Sequence, residues 1–387
     1  MVDTKKYRTK TEFTARNNGK LPGKWTSALD VGYSGVKLFS PVGIGRFPSY
    51  AKKSRDVSFI EAPKDAIVYR DNINDELWLV GAVAQNTIEG NGTTESETAL
   101  YGRDRYFSPM FRVYTEAGLG ISLLNDSMSK IARLDNEPIF VQSGLPEKYM
   151  DDEGYIKDVI SGWHKFSLSI GGRAWIDFDF EVKRENISII SQPKGTLFSV
   201  CIKNNGDWHE NARKYLSSDI IVVDPGFGTL DVFPISNGVV GYGETFDNLG
   251  MKRVLQETCI ALNDKYNSKV TVPAMQKWLE VGTVPSFDRR TLSSSTHPFA
   301  DILEKESYKV CDEALNTLAD AVPLSSYEYM IITGGTGAAW LPRIEEKFKN
   351  LNTLTILHGN QNDGLPFVYS NVRGYYYYLY NTVGRKN

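Results

Sequence analysis

Two short stretches decide the fold of this chain: DVGYSGVK at residues 30–37 and DPGFGTLD at residues 224–231. In each stretch an apolar strand ends in an aspartate, a glycine turn follows, and a second strand begins. The first unit predicts a hairpin over 28–39 with its tip at 32–35. The two leading aspartates lie 194 positions apart (224 − 30). The pattern therefore predicts a strand–turn–strand unit that occurs twice in the chain.

Glycine tips beside strand-end aspartates predict a site for a phosphate and a cation. Glycine lets backbone N–H groups approach an anion closely, and a neighbouring carboxylate suits Mg²⁺, which keeps several of its waters. We expect Asp30 and Asp224 to bind Mg²⁺ through water, and Lys37 to neutralise a phosphate. The turn residues expected to contact the bound group are Gly32, Tyr33, Ser34, Gly35, Gly226, Phe227, Gly228 and Thr229.

A third glycine turn, TGGTGAA at 333–339, follows the apolar run 329–333 and precedes a predicted helix. A glycine turn at a helix start suits close contact with a ribose, an α-phosphate or a base. We expect Gly334, Gly335 and Thr336 to contact a nucleotide there. Other residues that contact the base are expected within 245–310 but are not assigned singly.

The composition excludes several classes of protein. The 387 residues carry 44 Lys+Arg and 47 Asp+Glu, a net charge of −3 that argues against a protein that coats nucleic acid. Three cysteines without paired spacing argue against a zinc finger or an iron–sulfur frame and fit a reducing compartment. No apolar run is long enough to span a membrane, and no signal core begins the sequence. A cytoplasmic protein with no membrane contact is expected.

The three motifs, in this order, resemble the phosphate-1, phosphate-2 and adenosine motifs of the actin, sugar-kinase and heat-shock-chaperone ATPase superfamily. The resemblance implies an α/β fold in which two similar lobes, duplicated ribonuclease-H-like units, enclose a nucleotide cleft. We expect the first lobe to comprise 25–194 plus 366–387 and the second lobe 195–365. Residues 1–24 are rich in Lys and Arg without apolar periodicity, and we expect a flexible basic extension there.

Four shorter segments resemble the ParM-type bacterial actins of plasmid segregation: RFPS at 46–49, VGAVAQ at 80–85, SGLP at 143–146 and NVRG at 371–374. This resemblance implies a filament-forming protein that hydrolyses ATP, or GTP, with Mg²⁺. Its implied partners are further copies of itself and a separate DNA-binding adaptor on a plasmid, without direct sequence-specific DNA binding. Two alternatives within the superfamily are a small-molecule kinase and a monomeric nucleotide switch, and neither would pellet with ATP.

The family places the residue that orients the attacking water just before the second lobe, where this chain has Gln192. A glutamine is no strong base at neutral pH, but it can align a water by hydrogen bonding. Glu147 is the competing candidate, and we expect it to lie on the surface. Asp30 and Asp224 are expected to act on water and Mg²⁺, not as covalent nucleophiles.

The remaining periodicity predicts the other elements. Tyr375–Tyr380 is expected to form a helix with tyrosines at the surface, and 281–299 is expected to be a loop. The other predicted strands are 66–69, 77–81, 139–144, 187–190, 220–224 and 230–233, and the other predicted helices are 108–124, 249–266 and 299–318.

Overall fold

The first predicted hairpin lies at the centre of a six-stranded sheet. A computed structural model describes residues 2–56, 61–87 and 103–384. The strands of this sheet, in spatial order, are β1 (Glu12–Ala15), β4 (Gly43–Pro48), β3 (Gly35–Ser40), β2 (Trp25–Val31), β8 (Ile139–Leu145) and β11 (Ile187–Ser191). β2 runs antiparallel to β3 and parallel to β8, and β8 runs parallel to β11. The carboxyl ends of β2, β8 and β11 therefore meet at one edge.

A second, antiparallel sheet extends the first lobe. Its strands, in spatial order, are β10 (Ile176–Val182), β9 (Gly162–Ile170), β6 (Ile67–Asp71), β7 (Glu76–Val80) and β5 (Ala51–Ser54). The lobe's helices are α1 (Ala82–Asn86), α2 (Pro109–Ser122) and α3 (Glu153–Ile160), with 3₁₀ turns at Arg103–Phe107, Glu147–Asp152 and Arg184–Asn186. The Ser108 hydroxyl accepts from the backbone N–H of Met110 and caps α2. Phe111 and Leu119 of α2 are buried in the core that both sheets share.

The second predicted hairpin forms the centre of the other lobe. Its sheet has the spatial order β14 (Val239–Val240), β13 (Thr229–Ser236), β12 (Asp219–Pro225), β18 (Tyr329–Ile332) and β19 (Thr355–His358), and β15 (Glu244–Asp247) also pairs with β13. The associated helices are α5 (Ala212–Ser217), α6 (Met251–Tyr266), α7 (Val272–Val281), α8 (Ala300–Ala321) and α9 (Gly335–Phe348), with 3₁₀ turns at Leu324–Ser326 and Phe367–Tyr369. Side chains of β12 are buried on both faces, which explains its continuous apolar run.

The sheet that contains the first hairpin and the sheet that contains the second hairpin repeat one arrangement, as the duplicated motif predicts. β12 is antiparallel to β13 and parallel to β18, just as β2 is antiparallel to β3 and parallel to β8. Within the hairpins, Asp30 is opposite Lys37 and Asp224 is opposite Asp231. The predicted fold class, two similar αβ lobes, is confirmed.

Two helices, α4 (Gln192–Cys201) and α10 (Ser370–Gly384), pack against each other between the lobes. A Cβ atom added to Gly374 would lie 1.8 Å from the carbonyl oxygen of Gly195, so these helices approach more closely than side chains would allow. The predicted domain boundaries fall at this junction: 194/195 lies inside α4, and 365/366 just precedes α10. The boundaries stay a prediction, and residues 385–387 of the first lobe lie outside the described residues.

The N-terminal segment differs from the predicted flexible extension. Its 3₁₀ turn Thr4–Tyr7 packs on the second lobe, and the buried Tyr7 belongs to that lobe's core. β1 then joins the sheet of the first lobe next to β4. Apolar periodicity failed to predict this order because the segment also depends on polar contacts with distant residues, such as the bond from Thr4 to the carbonyl oxygen of Leu279 and the ion pair of Arg8 with Glu280.

Two smaller expectations were also wrong. The predicted loop at 281–299 contains a two-stranded hairpin, β16 (Thr283–Asp288) and β17 (Ser293–Pro298). Tyr375, Tyr376 and Tyr377 lie inside the protein, each fully buried, because α10 is enclosed between the lobes. No helix in the described ranges is long and apolar enough to cross a membrane.

Candidate functional site

The first hairpin brings a lysine and an aspartate together near the carboxyl end of β2. Lys37 Nζ lies 3.1 Å from Asp30 Oδ2, and Asp30 is only 3% exposed. A Cβ atom on Gly32 would lie 2.7 Å from the Lys37 ammonium, so glycine provides the room for this pair. Asp30 Oδ1 is buried and has no hydrogen-bond partner among the described residues. One carboxylate oxygen therefore remains available for a water or a ligand.

The tip of this hairpin is fixed by two residues from outside it. The Ser49 hydroxyl donates to the carbonyl oxygen of Gly32 at 2.7 Å. Arg105 donates to the carbonyl oxygen of Val31 at 3.1 Å, and its guanidinium lies 4.5 Å from the centre of the Tyr33 ring. A buried positive charge is thus held next to the glycine turn that the sequence assigns to phosphate.

The second hairpin carries a pair of aspartates. Hydroxyls of Thr229 and Thr245 donate to the two oxygens of Asp231 at 2.8 and 2.7 Å, which explains how this partly buried carboxylate is tolerated. Asp224, directly opposite on β12, is partly buried. Gly226 closes the turn by donating its N–H to the carbonyl oxygen of Thr229 at 2.8 Å.

The third glycine turn packs directly on the second hairpin. Gly334 has φ +77°, and a Cβ atom there would lie 2.2 Å from Asp224 Oδ1. Only glycine satisfies both the backbone angle and this close approach. The Thr336 hydroxyl donates to the carbonyl oxygen of Gly226 at 2.7 Å, so this hydroxyl is already used to join the two loops. A Cβ on Gly335 would have nothing closer than 4.0 Å, which leaves that position open.

Asp224 experiences charges from both lobes. Burial, the neighbouring Asp231 and the more distant Asp30 raise the pKa of Asp224 to about 7, although Lys37 and a hydrogen bond from Asn371 lower it. Asn371 Nδ2 donates to Asp224 Oδ2 at 3.4 Å. The ammonium of Lys37 therefore lies within electrostatic range of carboxylates from both hairpins.

Gln192 lies at the same edge as Asp30. It is the first residue of α4, directly after β11, and its side chain is partly buried. β11, β8 and β2 are neighbouring parallel strands, so their carboxyl ends present Gln192, Glu147 and Asp30 along one line. Glu147 is not on the open surface as expected, because it is partly buried and its Oε2 has no partner within the described chain.

The donor set fits a hydrated cation bound together with phosphate. Within the described ranges, no group of three or more His, Cys, Asp or Glu side chains could hold a metal ion alone. Asp30 and Asp224 provide two carboxylates, one of them with a buried free oxygen. A hard cation here would need its other oxygen ligands from phosphate and water, which is the way Mg²⁺ is usually bound.

Sequence reasoning missed Asn371 and Arg105 as parts of this site. Asn371 lies in the NVRG segment, but its contact with Asp224 spans 147 residues and nothing local indicates it. Nothing in the sequence around Arg105 indicated a part in the site.

A cavity of about 630 Å³ between α2, α3 and the second sheet of the first lobe contains none of the predicted site residues. The cavity's carboxylates, such as Glu116, are paired within the protein, whereas the convergent hairpins present a carboxylate oxygen without a partner among the described residues.

Comparisons with known proteins support this architecture. Residues 28–195 match the family model described as actin-like proteins N-terminal domain. The apo psk41 ParM structure is 18% identical, with 94% of this chain and 99% of that chain covered at a TM-score of 0.62. A 15-stranded ParM filament from Clostridium botulinum is 18% identical, with 94% and 99% covered at a TM-score of 0.64.

An archaeal actin homologue, Ta0583 in complex with ADP, is 14% identical, with 93% of this chain and 99% of that chain covered at a TM-score of 0.64. No curated protein matches the sequence. At these identities the structural likeness shows the fold alone. Residues 28–195 thus match an actin-like N-terminal domain, and the chain as a whole has the fold of the ParM structures.

Proposed function

We propose that this chain is a nucleotide-driven, filament-forming protein that hydrolyses ATP, or GTP, in the cleft between its lobes. The observation that carries the proposal is the position of Lys37, whose charge acts on Asp30 of its own hairpin and on Asp224 of the other. A lysine and two carboxylates from duplicated glycine hairpins form the kind of site that holds a phosphate chain and its cation.

Each residue has a proposed role in this site. Asp30 and Asp224 hold a hydrated Mg²⁺, which would offset negative charge on the phosphates. Backbone N–H groups of the tips at 32–35 and 226–229 hold the phosphates, and Gly334, Gly335 and Thr336 border the nucleoside. Gln192 orients the attacking water by hydrogen bonding.

Self-assembly is the proposed use of the nucleotide. A relative of the same fold is a ParM filament, and a head-to-tail contact that does not close generates such a filament. Because α4 and α10 lie between the lobes, a change in the cleft can alter the angle between the lobes and hence the contact surface. We propose plasmid movement through a separate DNA-binding adaptor, since a net charge of −3 argues against direct binding to DNA.

The cytoplasm is the proposed compartment. Cys201, Cys259 and Cys311 are all free and buried. Burial raises the pKa of each thiol to about 12, so the thiols stay protonated and unreactive. This state matches a reducing environment. The domain division at 194/195 and 365/366 is part of the same proposal.

Light scattering of the purified chain with ATP and Mg²⁺, beside a non-hydrolysable analogue and with phosphate release recorded, tests the proposal. We expect a rise that decays as phosphate is released with ATP and a rise that persists with the analogue. Gln192→Ala should prolong the plateau with ATP. Gln361→Ala is the matched control, because its side-chain amide donates to the carbonyl oxygen of Val200, outside the site.

The outcomes separate the alternatives. Tight nucleotide binding without any rise in scattering would favour the kinase or the monomeric switch. A prolonged plateau in both glutamine variants would contradict the proposal that Gln192 orients the attacking water. A rise in scattering with GTP but not with ATP would identify GTP as the nucleotide.

A further inference from the structure

Tyr375 of α10 is held in a space made by glycines. Its ring is fully buried, and a Cβ atom on Gly144 of β8 would lie 2.1 Å from its hydroxyl oxygen. A Cβ on Gly195 of α4 would lie 2.3 Å from the ring. Any other residue at either position would displace the tyrosine. The fold thus fixes this ring closely against β8 of the first lobe and against α4.

The hydroxyl of Tyr375 differs from those of the next two tyrosines. Tyr376 donates to the carbonyl oxygen of Gly19 at 2.6 Å, and Tyr377 donates to that of Asn204 at 2.6 Å. Tyr375 Oη is equally buried but has no hydrogen-bond partner among the described residues. A buried hydroxyl without a partner costs stability, and phenylalanine would fill the same space without that cost. Packing alone therefore does not account for a tyrosine here.

The unpartnered hydroxyl faces the candidate site. On β2, Ala28 packs in the cluster that contains Tyr375, whereas Leu29 faces the opposite core. Side chains alternate along a strand, so Asp30 lies on the same face as Tyr375. Asp30 Oδ1, like Tyr375 Oη, is a buried oxygen without a hydrogen-bond partner among the described residues. The negative charges of Asp30 and Asp224 both raise the pKa of Tyr375, so a carboxylate from each lobe lies within electrostatic range of this hydroxyl.

We infer that Tyr375 is a positioning residue that donates from Oη to a water held between Asp30 and Asp224, and that this water is ordered when the nucleotide and its cation bind. The inference rests on the proposed function. A water that donates its two hydrogens to the two carboxylates can still accept a hydrogen bond at its oxygen. The Tyr375 hydroxyl would donate that bond. It would also make α10, which runs between the lobes, sensitive to whether the cleft is filled.

Three Tyr→Phe variants on one helix turn test this inference. We would measure the melting temperature of Tyr375→Phe, Tyr376→Phe and Tyr377→Phe without ligand, and then the affinity for ADP by calorimetry at several Mg²⁺ concentrations. Without ligand, we expect the Phe variants at 376 and 377 to melt lower than wild type, and that at 375 to melt at the same temperature or higher. With ADP and Mg²⁺, we expect only Tyr375→Phe to bind about fivefold more weakly and to need more Mg²⁺.

Each result decides the matter. Unchanged affinity in Tyr375→Phe, beside normal binding by wild type, would overturn the inference and leave the proposed function intact. Destabilisation without ligand equal to that of the other two variants would show a structural partner and would also overturn it. No ADP binding by wild type would overturn the proposed function and this inference with it.

A wild-type crystal structure with ADP and Mg²⁺ offers a check that does not depend on any variant. A water within hydrogen-bond distance of both Tyr375 Oη and Asp30 Oδ1 supports the inference. A Tyr375 hydroxyl without a bound water contradicts it.

Discussion

The backbone N–H of Thr9 donates to the side-chain oxygen of Gln276 at 3.0 Å, and this bond joins the N-terminal segment to α7 of the second lobe. The Thr9 hydroxyl donates to the same oxygen at 3.3 Å. Three residues later, Glu12 begins β1 in the sheet of the first lobe. The Cα atoms of Thr9 and Glu12 can be at most about 11 Å apart. The N-terminal segment is therefore a short connection across the two lobes, and it limits how far they can separate while both ends stay bound.

Gln276→Ala should release the end that is bound to the second lobe. Gln276 is only 4% exposed, and its removal leaves the Thr9 N–H without an acceptor. We expect the amides of residues 4–9 to exchange with deuterium at least tenfold faster, which corresponds to a loss of about 1.4 kcal/mol. Mass spectrometry of the N-terminal peptide measures this.

Gln361→Ala is the control for this experiment, because its amide contacts Val200 away from the N-terminal segment. It should leave exchange of the N-terminal peptide unchanged. The ion pair between Arg8 and Glu280 at 2.9 Å also holds the segment. Slow exchange that persists in Gln276→Ala would mean that this pair is sufficient, and the prediction would then be wrong.

The parts of the fold that the sequence predicted are those that local chemistry determines. The hairpin that contains Asp30 and Lys37 follows from a glycine turn and a seven-residue spacing, and the structure pairs these two residues directly. The parts that it missed depend on distant contacts. Thr9 and Gln276 are 267 residues apart, and no periodicity in 2–24 indicates that they meet. Asn371 reaches Asp224 in the same way, so local motifs indicate the hairpin aspartates and Lys37 but not the distant residues that contact them.

Gly334→Ala should destabilise the second lobe. The residue has φ +77°, and the new Cβ would lie 2.2 Å from Asp224 Oδ1. We expect a loss of at least about 2 kcal/mol in the free energy of unfolding, from backbone strain and the displaced carboxylate. Gly154→Ala on α3 is the control, since its Cβ would meet nothing within 4 Å and should stabilise by up to about 1 kcal/mol. Equal urea midpoints for the two variants would contradict the argument.

The pairing of Glu116 with His164 predicts a pH dependence of stability. Burial opposes ionisation of Glu116, but hydrogen bonds from His164 and Tyr69 outweigh it and hold the pKa of Glu116 below its usual 4.5. His164 Nδ1 lies 3.1 Å from Glu116 Oε1, while Nε2 lies 2.8 Å from the carbonyl oxygen of Ile160. Because the folded-state pKa is lowered, the stabilisation is complete above about pH 4.5 and is lost as the pH falls through the folded-state value.

Glu116→Gln should therefore lower the free energy of unfolding by about 3 kcal/mol at pH 7, and the difference from wild type should shrink below about pH 4. Urea unfolding at both pH values measures it. Glu153→Gln is the control, because its pair with Lys157 is half exposed and should contribute less than about 1 kcal/mol at either pH. A difference for Glu116→Gln that stays constant with pH would mean that shape, and not charge, makes the contribution.

Lys37→Met should affect stability and nucleotide binding together, because its ammonium acts on carboxylates of both hairpins. Without it, Asp30 becomes a buried charge that has lost its paired ammonium, and we expect a loss of about 3 kcal/mol in the free energy of unfolding at neutral pH. Lys53→Met removes an exposed pair with Glu76 and should cost less than about 1 kcal/mol.

The double variant Lys37→Met with Asp30→Asn removes both charges and should recover most of the lost stability without restoring affinity for ADP. Recovery of stability identifies the unpaired Asp30 as the cause, whereas a double variant as unstable as Lys37→Met would show that the lysine stabilises the hairpin by its packing alone.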